Sequence, residues 1–161
     1  MTFARFTVAY WCILVAAILP IVCTGIAKYG MFTVKPKDGG YDNNNPRAWL
    51  AKQQDWRARA NAAQANTFEA LPLFFAAVII AHLLQAGQTK LDVLAFTFVL
   101  LRVAYIVVYV ADMASTRSVI WFSVADQYRY FVCGIPLNSI RPHFPIRGLG
   151  FQRGFAKSKP M

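Results

Sequence analysis

Acidic residues are scarce in this chain: Asp and Glu number 7 against 17 Lys and Arg, leaving a formal net charge of +10. No two carboxylates stand at a spacing suited to hydrolytic acid–base work, which removes the paired-carboxylate class of mechanism. Cysteine is sparse too. Cys12, Cys23 and Cys133 form no Cys-x-x-Cys pair, and His82 and His143 lie far apart, so neither a zinc site nor a disulfide framework is expected. Cys12 and Cys23 fall inside an apolar run, where a thiol behaves as a small hydrophobic side chain. A glycine-rich phosphate loop and a nucleophile elbow are also missing, which sets aside the nucleotide-binding and serine-hydrolase classes.

What the chain has in abundance is apolar sequence. Hydrophobic residues make up 57% of it, above the ~45–50% of soluble domains. A run over about residues 7–26 carries no charge and matches the ~20 residues needed to cross a bilayer core. It is too long for a signal peptide and no small-residue cleavage site follows, so it reads as a retained span kinked at Pro20. Two more spans are predicted over about residues 66–84 and 91–110. The link between them is short enough to make an antiparallel hairpin, with Gly87 suited to a helix C-terminus. Before the second span lies a polar stretch from Lys28 to Arg59, predicted to be a loop followed by a helix from about Arg47 that continues into the span.

A fourth segment departs from this pattern. Ser118–Ala125 begins as a span should, but Asp126 and Arg129 follow, then Gly134–Pro136 and a basic tail with Arg141, Arg147, Arg153, Lys157 and Lys159. Each ionised group at the bilayer centre costs about 2.5–3.5 kcal/mol, so an amphipathic or partial helix over about 118–132 is expected. A shifted reading frame after about Val124 is another origin for so abrupt a change. The expected fold is therefore all-α, an integral membrane helical bundle with an atypical, short or incomplete fourth helix. It divides into a membrane domain over 1–124 and a basic, Pro-containing tail over 125–161.

The basic residues between Lys28 and Arg59 place that loop in the cytoplasm and the N-terminus outside. Basic clusters abutting membrane spans are topology signals, so nucleic acid is not an expected partner. Tyr10, Trp11, Trp49, Trp56 and Trp121 are expected at the headgroup level, and His82 in an interfacial or interhelical hydrogen bond.

Polar groups at membrane depth are costly and mark functional positions. Asn66 and Glu69 share one face of the second span, with Arg59 further back on about the same stripe. Arg102, Tyr105 and Tyr109 form a second stripe in the third span, followed by Arg117, Ser118 and Trp121. The structural interpretation is a buried Glu69–Arg102 ion pair. The functional one is a pocket for a charged, thiol-bearing ligand, since guanidinium groups bind carboxylates and lower thiol pKa values. The two are compatible.

The segment RARANAAQANTFEALPLF, residues 57–74, resembles the second-helix signature of the MAPEG family, the membrane-associated proteins in eicosanoid and glutathione metabolism. Arg102-Val-Ala-Tyr105-Ile-Val-Val-Tyr109 and Arg117-Ser118 resemble its third- and fourth-helix signatures, and the similarity runs over about residues 5–124. The resemblance implies a four-helix protomer, a homotrimer, and glutathione as cosubstrate between subunits near the cytoplasmic face. It points to a bacterial-type inner-membrane member that conjugates or reduces lipophilic electrophiles arriving from the surrounding lipid. On matching positions, Arg117 would stabilise the thiolate and Tyr109 or Ser118 would hydrogen-bond the sulfur. Asn66, Glu69, Arg59, Arg102, Tyr105 and Trp121 would bind or frame glutathione. Ala62 and Ala65 stand where glutathione-using members carry basic residues, and Tyr105 stands where the prostaglandin synthase branch has histidine. The competing class is a non-enzymatic membrane scaffold without glutathione chemistry. A small transporter would need inverted repeats or a polar path, and neither is visible.

Overall fold

The computed structural model describes residues 6–133, and these form helices joined by short turns and one long loop, with no strand among them. Helix α1 spans Val8–Lys28, α2 Pro46–Ala51, α3 Asp55–Leu83, α4 Gln88–Val110 and α5 Ala114–Cys133. Of these, α1, α3 and α4 are long and apolar enough to cross a membrane. The chain is an integral membrane protein built as a helical bundle. The basic tail, His143 and the Gly134–Pro136 stretch lie outside the described residues.

Small residues govern the packing of α1. Its buried stripe runs Ala9, Cys12, Ala16, Leu19, Cys23 and Ala27, and the facing stripe of α3 includes Ala60, Ala63 and Thr67. Lipid tails are as apolar as leucine, so helices in a bilayer gain most from close backbone approach, which small side chains permit. Helix α1 accordingly lies along α3 and also touches α4. It runs unbroken through Pro20, where the Thr24 hydroxyl donates to the Pro20 carbonyl at 3.0 Å. Toward the other end larger rings fill the core. Phe74 of α3 stacks on Phe98 of α4 at 3.9 Å and 5°, and Phe131 of α5 meets Phe74 edge-on at 6.3 Å.

Two boundaries and one contact differ from the sequence expectation. Arg47 belongs to the separate helix α2, whose N-cap Asn45 accepts from the Ala48 N–H, and residues 52–54 interrupt the chain before α3. Pro46 at the first helical position favours a new start there. Gly87 is the N-cap of α4 rather than a C-terminal residue of α3; the left-handed position ending α3 is Gln85, φ +53°. The Gln85 N–H donates to His82 O and the Ala86 N–H to Ala81 O, both at 3.0 Å, the paired bonds of a Schellman cap. His82 packs its ring edge-on against Tyr10 at 4.9 Å, an interhelical aromatic contact, and makes no side-chain hydrogen bond among the described residues.

The fourth helix starts at Ala114 and continues past Val124 to Cys133. Residues after Val124 take part in the packing. The Gln127 side-chain amide donates to Leu94 O at 2.7 Å, and the Tyr128 hydroxyl donates to Ala70 O at 2.9 Å. Tyr130 and Phe131 reach the α3–α4 turn, so α5 runs the length of the bundle. Its outer face carries the charged residues: Asp126 and Arg129 pair there at 3.3 Å, both well exposed. That face accounts for the low apolarity of α5, while its inner face matches the core.

Candidate functional site

The polar stripes of α3 and α4 meet at the end of the bundle nearest the Lys28–Gln54 loop. Arg102 stands at their centre. Its side chain is 1% exposed, and one guanidinium nitrogen, Nη2, donates to both Asn66 Oδ1 and Thr67 Oγ1 at 3.1 Å. Its Nε is buried with no hydrogen-bond partner, and its Cζ lies 4.6 Å from the Tyr105 ring centroid. The expected Glu69–Arg102 ion pair is not formed. Glu69 is exposed and accepts from the Asn66 side-chain amide at 3.5 Å. The geometry explains this. Thr67, one residue after Asn66, points into the bundle and donates to Ala63 O at 2.7 Å, leaving its oxygen free to accept from Arg102. Glu69 lies on a more outward face.

The α4–α5 turn brings in the remaining groups. Asp112 takes a left-handed conformation, φ +63°, and the Met113 N–H donates to Val108 O at 3.0 Å. The chain reverses within three residues, so Arg117 in the first turn of α5 returns over Tyr109, with its Cζ 4.4 Å from the ring centroid. Tyr109 in turn meets Tyr105 edge-on at 5.5 Å. Ser118 donates to Ala114 O at 3.2 Å within its own helix.

Two cavities open among these residues. The larger, about 330 Å³, is lined by Asn66, Tyr105, Tyr109, Arg117, Ser118 and Trp121, with Phe122 completing its wall. The smaller, about 150 Å³, shares Asn66 and Trp121 and adds Glu69, Arg102 and Tyr128. Eight of the nine site residues expected from the sequence line one or other cavity. Arg59 does not. Its Nε donates to Val110 O at 3.0 Å and its Nη1 lies 3.5 Å from Asp112 Oδ2, so it clamps the α4–α5 turn onto α3.

Sequence reasoning missed Thr67, Phe122 and Tyr128. Thr67 carried a signal, being a hydroxyl beside Asn66 in a helix turning apolar. Tyr128 carried a weaker one. Arg117, Trp121, Val124 and Tyr128 follow helical spacing, which shows only once α5 is known to continue past Val124.

Chemically, the cavities present two guanidinium groups, a carboxamide, a hydroxyl and phenols, with a single carboxylate at the rim. Such a set suits an anionic, hydrogen-bonding ligand. Among the described residues no cluster of His, Cys, Asp and Glu could hold a metal ion. A family model described as the MAPEG family matches residues 8–124. Searches of curated proteins and of solved structures find no match for the chain.

Proposed function

The chain belongs to the MAPEG family, which includes glutathione-dependent enzymes, and on that premise we propose that it binds glutathione and couples it to lipophilic electrophiles. The observation that carries this reading is the convergence of Asn66, Tyr109, Arg117 and Ser118 on one cavity beside the buried Arg102 cation. A buried cation whose partners are neutral favours an anion nearby, and the unpartnered Arg102 Nε leaves donor capacity unused. The residues therefore fit an anionic tripeptide.

When bound, glutathione supplies a thiol nucleophile. Asn66 would contact its peptide groups, with Arg102 lining the wall behind, and the exposed Glu69 carboxylate would face its ammonium. Arg117 favours the deprotonated sulfur through its positive charge, and the hydrogen bond to it comes from Tyr109, or from Ser118 once its hydroxyl turns from Ala114 O. Tyr105 and Trp121 supply the apolar walls that exclude water and strengthen these interactions. The lipophilic substrate approaches laterally from the lipid contacting the bundle. In this reading the protomers form a homotrimer, with a neighbouring subunit closing the open side of the cavity. The basic first loop, and with it the site, lies on the cytoplasmic side of the membrane, a bacterial inner membrane if the chain is of bacterial type.

A second reading is a membrane scaffold without the chemistry. One observation favours it: Ala62 and Ala65 leave the second-helix motif without bases, and Arg59 is committed to Val110 and Asp112. Glutathione titration of the detergent-purified protein, followed by ultraviolet difference absorbance of the bound thiolate, separates the two. The glutathione reading expects a thiolate signal that Arg117→Ala removes, with turnover of a model electrophile falling about 10²–10³-fold. A folded oligomer that binds no glutathione would establish the scaffold reading instead.

A further inference from the structure

At the opposite end of the bundle lies a further cavity of about 440 Å³, between the α3–α4 turn and the last turns of α5. It plays no part in the proposed chemistry: Lys90, at its wall, precedes Arg102 by twelve residues on α4, about 18 Å along the helix axis. Its depth is formed by apolar side chains, among them Leu91, Leu94 and Phe131. Its size falls within the ~300–1,000 Å³ usual for small-molecule sites.

The lining is graded. Thr89 and Lys90 stand in the first turn of α4, beside the turn that joins two membrane-spanning helices, which is where the headgroup layer begins. Leu94, one turn further along α4, lies about 6 Å deeper toward the bilayer centre. Lys90 is exposed and belongs to neither ion pair formed among the described residues. Asp92, the acid nearest in sequence, is engaged elsewhere. Its Oδ1 accepts from the Ala9 N–H and from the Gln88 side-chain amide, each at 2.8 Å. The cavity thus pairs an ammonium that no carboxylate among the described residues neutralises, at headgroup level, with an apolar slot at hydrocarbon level.

We propose that this cavity is a binding site for one anionic phospholipid, with its phosphate on Lys90 and an acyl chain in the slot formed by Leu91, Leu94 and Phe131. Charge complementarity selects the anionic headgroup, and the apolar depth selects a chain over a free phosphate. The surrounding lipid supplies the occupant without a soluble carrier.

Native mass spectrometry of the full-length protein, released from mixed phosphatidylglycerol–phosphatidylcholine nanodiscs, tests the site. One phosphatidylglycerol per chain is expected to survive release, in preference to phosphatidylcholine. Lys90→Gln, an exposed position whose change leaves the fold intact, lowers that preference about fivefold. Val93→Trp, at a cavity residue that is 60% exposed, obstructs the slot and removes the retained lipid although Lys90 remains. Equal retention of the two lipids by the unmodified chain would overturn the proposal. So would a preference unchanged in Lys90→Gln, or lipid retention unaffected by Val93→Trp, since either would mean attraction by the general surface charge alone.

Discussion

Arg102 is a guanidinium enclosed by the bundle with oxygen partners that are all uncharged. Removing a partner from a buried charge leaves uncompensated desolvation, so neighbouring groups of ordinary appearance acquire large effects. Thr67 is the clearest. Its hydroxyl donates to Ala63 O and accepts from Arg102, and it is fully buried. Thr67→Val keeps the shape and deletes both bonds. We expect a loss of about 1–3 kcal/mol, measured as thermal or denaturant unfolding of the detergent-solubilised protein. Thr67→Ser should recover most of that loss, because it restores the oxygen. A Val variant as stable as the parent would mean that Arg102 draws its stabilisation from Asn66 and Tyr105 alone.

Among the helices, α1 depends on a group from another helix for its beginning. Its N-cap, Thr7, makes no side-chain cap, and the Ala9 N–H in its first turn instead donates to Asp92 on α4. A carboxylate at a helix N-terminus satisfies an orphan donor and complements the helix dipole. It also ties the start of α1 to the start of α4. Asp92→Ala should therefore cost about 1–2 kcal/mol and accelerate amide hydrogen exchange in the first turn of α1. Asp92→Asn keeps an acceptor oxygen and should restore most of the protection. Unchanged exchange in the Ala variant would show that packing of the Ala9–Cys12–Ala16 stripe alone holds that end.

The molecule as a whole is polar at the loop end and apolar around its girth. Exposed Trp11, Leu14 and Ile18 on α1, Phe96 and Leu100 on α4, and Phe122 on α5 face outward, where lipid receives them. The long loop is closed by specific contacts. The Lys28 ammonium donates to the Tyr41 hydroxyl at 2.8 Å, and the Trp49 indole donates to Gly39 O at 3.2 Å. An added Cβ at Gly40 would collide with the Val34 carbonyl, so only glycine fits there. With the basic loop at one end and the α3–α4 turn at the other, the proposed orientation is directly measurable. In right-side-out vesicles, and with the native cysteines replaced by alanine, Thr89→Cys should react with an impermeant maleimide. Lys37→Cys should react only after permeabilisation. The reverse pattern would place the candidate site on the outer side.

The three apolar spans, their hairpin connection and the membrane location were legible in the chain because length and apolarity are additive properties of consecutive residues. The site stripes were legible for a similar reason: helical spacing puts Asn66 beside Glu69, and Arg102 in line with Tyr105 and Tyr109, whatever surrounds them. Which stripe residue meets which depended on helix rotation and turn geometry, and these are settled by packing between distant parts of the chain. Small residues set how α1 and α3 approach, and that rotation turns Thr67 toward Arg102 and Glu69 away from it. The left-handed Asp112 swings Arg117 onto Tyr109, while Arg59 is drawn to the same turn and away from the cavity. The extent of α5 is hidden in the sequence because polar residues on either face of a helix count equally against insertion. Folding divides them between an outer face bearing Asp126 and Arg129 and an inner face where Gln127 and Tyr128 find backbone carbonyls.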